Sequence, residues 1–153
     1  MSFIHKYMYF AINLRFNDNR ISGDLHSPVL LEKITFDNLT EMVQIMDQIM
    51  QEVNIPKEDA KLTRLDVENR YVKRNIEYVE LNQDNFKERL IVSLTCRGKK
   101  QNIFIIKVMY KQHNTWQGEM NLMAERKPSF FKSASEMVQR IRFDVKKSSC
   151  NYA

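Results

Sequence analysis

Apolar residues alternate with polar or small ones along two stretches of this chain. Phe10, Ile12, Leu14 and Phe16 mark the first; Phe104, Ile106, Val108 and Tyr110 mark the second. A period of two puts every second side chain on one face, so each stretch predicts a strand buried on one side. A polar turn follows each, Asn17-Asp18-Asn19 and Gln112-His113-Asn114, of residue types that tolerate left-handed backbone. The return strands carry Ile21, Gly23 and Leu25, then Trp116, Gly118, Met120 and Leu122. A glycine inside a strand packs poorly by itself. Its place in both return strands predicts a close backbone approach there.

Further along each half the period becomes helical. Leu39, Met42, Val43, Met46, Ile49, Met50 and Val53 form one apolar stripe, the width a surface helix needs to face a core. Asp37 or Asn38 can cap it, Glu41 suits its positive end, and Pro56 stops it. Ala134, Met137, Val138, Ile141 and Val145 form the second stripe. Ser133 and Glu136 make a capping box, and Lys146 and Lys147 suit the carboxyl end. A methionine-rich stripe can serve as a docking surface. Burial is the expected use here, because packing such a face supplies most of a helix's stability.

The two halves also match letter by letter. Glu41-Met42-Val43-Gln44 recurs 95 positions later as Glu136-Met137-Val138-Gln139, with Phe36 on Phe131 and Gly23-Asp24-Leu25 on Gly118-Glu119-Met120. Upstream the offset is 94, and the extra residue is expected in the hairpin turn, where loop length varies freely. The matches predict an internal duplication. The fold expected is α+β: two tandem β-hairpin–helix repeats related by a pseudo-two-fold axis, with antiparallel sheets and two amphipathic helices. It reads as a fused dimer. Residues 1–56 and 97–153 are the units, and 57–96 connects them within one compact domain. In the connection KLTRLDV, NIEYVEL and RLIVSLTC read as strands by β-branched content, although a helix through Leu65, Val72, Ile76 and Val79 also fits.

Composition narrows the class. With 153 residues, 43% apolar, and only three Gly and three Pro, the chain suits one ordinary domain and excludes collagen-like and Pro/Gly-rich disordered classes. No apolar run approaches the roughly 20 residues that cross a bilayer, and the start has no signal-peptide pattern, so a cytoplasmic protein with no membrane partner is expected. Cys96 and Cys150 lack close partners and read as reduced thiols. Charge is uneven: residues 1–96 carry net −3 and residues 97–153 net +8. A basic half can complement an acidic half of the same molecule or an acidic partner.

Catalytic, cofactor and metal signatures are not found. His5, His26 and His113 stand far apart, and no HxH or HExxH spacing exists. No GxSxG, GxGxxG or phosphate loop can be built from three glycines. Asp24 and Glu119 hold matching strand positions, so two carboxylates could face each other and shift their pKa values; pointing to solvent is the plainer expectation. Trp116 could stack a base or sugar, or simply plug the core. Lys107, Lys111, Trp116, Arg126, Lys127 and Lys132 form the candidate surface for a partner or nucleic acid. The recognition motifs of known RNA-binding modules are not among them.

Gln112, Asn114, Trp116, Gln117, Gly118, Lys127, Phe131, Ser133 and Glu136 resemble the pattern of a small clostridial (Firmicutes) protein family of unknown function. That pattern is a Q-N-x-x-W-Q-G stretch, a basic turn and an F-R-S-x-x-E helix start. Lys132 stands where the family has Arg, and His113 is inserted; the first half keeps only the Gly, the Phe and the helix. The resemblance implies a compact α+β unit of bacterial, cytosolic origin and implies no activity. The function expected is a non-catalytic cytosolic binding or assembly module, whose partner is another protein or a second copy. The alternative is nucleic-acid binding through the basic second half, with an enzyme third because no motif meets the geometric requirements of a catalytic site.

Overall fold

A computed structural model describes residues 7–53, 73–95, 102–112, 115–125 and 127–150. Among them run β1 (Met8–Asn17), β2 (Arg20–His26), β3 (Ile34–Phe36), α1 (Leu39–Glu52), α2 (Phe86–Leu94), β4 (Ile103–Gln112), β5 (Thr115–Leu122), β6 (Ser129–Phe131) and α3 (Ala134–Cys150). The strands form one antiparallel sheet in the order β3-β2-β1-β4-β5-β6. The fold is therefore α+β, with six strands and three helices among the described residues.

The two alternating stretches meet at the centre of this sheet. Phe10 lies opposite Ile106, and Ile12 opposite Phe104. Opposed residues in an antiparallel ladder point to the same face. Met8, Phe10, Ile12 and Leu14 thus share one face with Leu25, Phe36, Val108, Met120 and Phe131, and all are buried. Met42, Met46 and Ile49 of α1 and Met137 and Ile141 of α3 join the same cluster. One sheet face and two helix stripes make the core.

The helix starts are built alike. The Glu41 N–H donates to Asn38 Oδ1 at 2.8 Å, and the Glu136 N–H donates to Ser133 Oγ at 3.0 Å. The glutamates reach back to accept from the Asp37 and Lys132 N–H groups. Each cap satisfies donors that a helix terminus leaves open.

Two expectations need correction. The extra residue does not lengthen a turn. β1 and β2 are joined by the two residues after Asn17, with Asp18 at φ 55°, and the β4–β5 ladder also runs to a pair, Gln112 and Thr115, with two residues between. The register shifts instead between Val108 and Tyr110. A β-bulge takes one added residue into a strand and keeps the turn tight. Second, RLIVSL is not a strand: Phe86–Leu94 is helix α2. Asn82 Oδ1 accepts from the Asp84 and Asn85 N–H groups, and Asn85 Oδ1 accepts from the Asn82 N–H. This local turn launches a helix, and among the described residues no strand pairs with Leu90, Val92 and Leu94 to use their alternation. NIEYVEL is extended but contributes only one bridge, Tyr78 to Leu30. KLTRLDV, which includes Leu65, lies outside the described residues, as does Val72.

The matched glycines have a stated reason. Gly23 lies opposite Phe36, and Gly118 opposite Phe131. A methyl at either would press on a carbonyl of the neighbouring strand (Asn13 or Lys107) and come 2.9 Å from a phenylalanine ring. Gly23→Ala or Gly118→Ala is expected to lower unfolding stability by about 1–3 kcal/mol, the usual cost of overpacking. Urea denaturation of each variant checks this, and an unchanged midpoint would contradict the packing described.

Candidate interaction surfaces

The second face of the sheet is only partly covered. Register places His26, Ala11, Ile105 and Asn121 in one row across β2, β1, β4 and β5. Helix α2 packs over β1 here. The Phe86 ring lies 6.5 Å from that of Tyr9, and Ala11 and Ser93 are both buried. The Arg89 guanidinium ties α2 to the β2–β3 connection through the Pro28 and Leu30 carbonyls. Two buried atoms of the row find no partner: His26 Nδ1 and Asn121 Oδ1. They stand 95 positions apart in the chain.

Beneath the end of α2 is a cleft of about 250 Å³ lined by Ala11, Asn13, Asp24, His26, Lys33, Ser93 and Thr95. Burial pushes the Asp24 carboxyl up, but hydrogen bonds from Arg15 (2.7 Å) and Thr35 (3.0 Å) and the charges of Arg15 and Lys33 outweigh it. The net shift is downward, and Asp24 stays ionised at neutral pH. Burial, then Arg89 and Lys33, hold the His26 imidazole below its ordinary pKa of 6.5. The hydroxyls of Ser93 and Thr95 donate to the helix carbonyls of Leu90 and Ile91. The carboxylate is engaged by cations, and the imidazole meets neither it nor a hydroxyl. A nucleophile–base–acid relay needs those contacts.

A second arrangement lies on α1. The Gln48 side chain accepts from the Arg74 N–H at 3.0 Å and donates to the Arg74 carbonyl at 2.7 Å. One amide thus fills both backbone hydrogen bonds of an extended residue. Arg74 also pairs with Glu41, and the Tyr78 hydroxyl donates to Glu52 at 3.1 Å. Burial and then Glu52 raise the Tyr78 pKa, so its proton stays on this bond. Residues 73–78 therefore form a strap along Glu41, Ile45, Gln48 and Glu52, positions one helical turn apart. Under it Ile45 is 1% exposed and Gln48 3%.

The positions 95 later on α3 are Glu136, Arg140, Phe143 and Lys147. Glu136 and Arg140 are exposed, and Phe143 is 61% exposed. Arg142, on the other flank of Phe143 from Arg140 by helical spacing, is exposed too. Among the described residues neither arginine makes an ion pair.

The candidate residues read from sequence do not converge on one patch. Lys107 is half-buried on the second sheet face, its Nζ 4.3 Å from the Tyr7 ring and 5.8 Å from that of Tyr9. Lys111 is near the end of β4, in register with Trp116. Trp116 is 4% exposed within the core cluster, so its ring is a plug and leaves the candidate surface. Lys127 and Lys132 are exposed on either side of β6; Arg126 lies outside the described residues. Asp24 and Glu119 do not meet, because β1 and β4 stand between their strands, a separation of roughly 14 Å at ordinary strand spacing. Sequence reasoning missed Gln48, Arg74 and Tyr78. Their only local signal was Lys73-Arg74 set against the acidic side of α1.

No family model, curated protein or solved structure matches this chain.

The His26 shift carries a sign. A histidine with a depressed folded-state pKa favours the neutral form in the fold. Its contribution is complete above pH 6.5 and is lost as pH falls from there through the folded value. Unfolding midpoints are expected to drop between pH 7 and 5, and the drop to shrink in His26→Asn. Equal pH dependence in the two proteins would contradict the burial of the imidazole.

Proposed function

We propose that the chain is a non-catalytic binding or assembly module made by duplication of one β-β-β-α unit. Several pairings support the duplication. Exchanging each residue of β1 for its match 94 later turns the pair Phe10–Ile106 into Phe104–Ile12, which is also a pair in the ladder. The same exchange carries Ala11 onto Ile105, the pair through which a two-fold axis would pass. Gly23–Phe36 and Gly118–Phe131, and the caps at Asn38 and Ser133, follow the offset of 95. The resemblance of the second half to a clostridial family supports a bacterial cytosolic setting.

The observation that carries the binding function is the contrast between the two helices. α1 has an extended segment laid along Glu41, Ile45, Gln48 and Glu52; α3 leaves the matching positions Glu136, Arg140 and Phe143 exposed to solvent. Phenylalanine and arginine are residue types enriched at protein interfaces, and here Phe143 is exposed with Arg140 and Arg142 on its flanks. A photoactivatable benzophenone residue at position 143 of the full chain, irradiated in extract of the cells that make it, is expected to give one adduct of discrete mass. The same residue at exposed Asn19 is expected to give none. Equal, diffuse labelling at both positions would remove the module reading.

Phe130 favours a second reading. It is 64% exposed on edge strand β6, and exposed Lys127 and Lys132 flank it in the chain. An aromatic among cations can stack a base while the lysines meet phosphates. A labelled single-stranded oligonucleotide would then show a salt-sensitive rise in anisotropy, abolished by K127E/K132E. No rise at low salt removes this reading.

A further inference from the structure

We propose that the exposed face of α3 on which Arg140 and Arg142 flank Phe143 from opposite sides binds an extended acidic segment of a partner protein, as α1 binds residues 73–78 of its own chain. The inference rests on the duplicated-module reading and adds the partner's chemistry.

The chain supplies its own precedent for the geometry. On α1, side chains at spacings of four, three and four run along one line of the helix and hold an extended backbone: Gln48 fills both hydrogen bonds of Arg74, and Glu41 and Glu52 take its guanidinium and the Tyr78 hydroxyl. The held segment opens on two basic residues, Lys73 and Arg74, and Arg74 pairs with Glu41 of the helix. The balance of charge shifts on α3, where Glu136 keeps the acid of Glu41 but Lys147 replaces Glu52. Ile45 is replaced by Arg140 and Gln48 by Phe143, with Arg142 exposed alongside. The half of the chain that carries α3 has net charge +8. A segment that lies on α3 as residues 73–78 lie on α1 would still meet one carboxylate, Glu136 in place of Glu41, but would meet cationic positions at Arg140 and Lys147 where the strap meets Ile45 and Glu52. It would therefore be acidic, with an apolar side chain to cover Phe143. Phe143 has no amide to offer, so the segment's affinity comes from charge pairing and ring burial, and partial desolvation of those arginines strengthens the pairing.

The test uses the full chain and two short fluorescein-labelled peptides, one alternating Glu with Ile and Phe, the other Lys with Ile and Phe. The acidic peptide is expected to bind and the lysine peptide not. R140E/R142E is expected to weaken binding at least about tenfold, a loss of one 1.4 kcal/mol step, and F143S several-fold. I91S/V92S, which changes exposed side chains on α2, is expected to leave binding unchanged. Thermal melting of each variant confirms that it folds; these positions are exposed, so little change is expected. Equal binding of the two peptides, or indifference to both F143S and R140E/R142E, overturns the proposal. So does full competition by an oligothymidine, which would show a surface that reads charge alone. The benzophenone adduct at position 143 is independent of the peptide's composition. An adduct without acidic-peptide binding rejects the partner chemistry and keeps the module; no adduct rejects the module itself.

Discussion

The antiparallel pairing of β1 with β4 is the contact on which the structure depends. Each set of three strands and a helix has one apolar face too small to seal itself, and a two- or three-stranded piece is marginal in water. Joining the pieces at their inner strands makes one continuous face from Phe36 to Phe131, and α1 and α3 cover it together. Neither β1 nor β4 is left with an exposed edge. The outer strands β3 and β6 have three residues each, and edges that short give little template for unwanted pairing.

The glycines show how tightly the halves are fitted. A phenylalanine on each edge strand lays its ring over the glycine opposite, and no room remains for a methyl. Two edge strands are held by aromatic contact where three residues of ladder alone would hold weakly. The same device appears in both halves, which is what a copied unit would keep.

The asymmetries between the halves are where function is to be sought. A perfect pair of units would have no α2, no strap and no shift of charge. The segment between the units supplies the first two: α2 covers the middle of the second sheet face, and residues 73–78 cover α1. Nothing among the described residues plays that part for α3. The uncovered helix is also the one whose stripe changed from Ile45 and Gln48 to Arg140 and Phe143. In the cleft beneath α2, His26 stays neutral beside an ionised Asp24. The cost of burying the imidazole is what makes the fold sensitive to pH there.

Much of the fold was legible in the chain alone. Period-two and helical patterns located β1, β2, β4, β5 and the stripes of α1 and α3, because one-sided burial imposes a period on the sequence. The caps at Asn38 and Ser133 were legible too, since each depends on residues near in sequence, and the close approach at Gly23 and Gly118 was legible from the recurrence of glycine at the matched strand position. Trp116 was ambiguous, as a lone aromatic fits a core or a surface equally well, and its neighbours in space decided. α2 was misread because Leu90, Val92 and Leu94 alternate, whereas the turn at Asn82 starts a helix there and among the described residues no strand pairs with them. The burial of Ile45 and Gln48, the strap that Gln48 holds through Arg74, and the exposure of Phe143 left no local trace. They depend on which distant segment comes to lie on which helix, and long-range packing decides that after local preference has formed the elements.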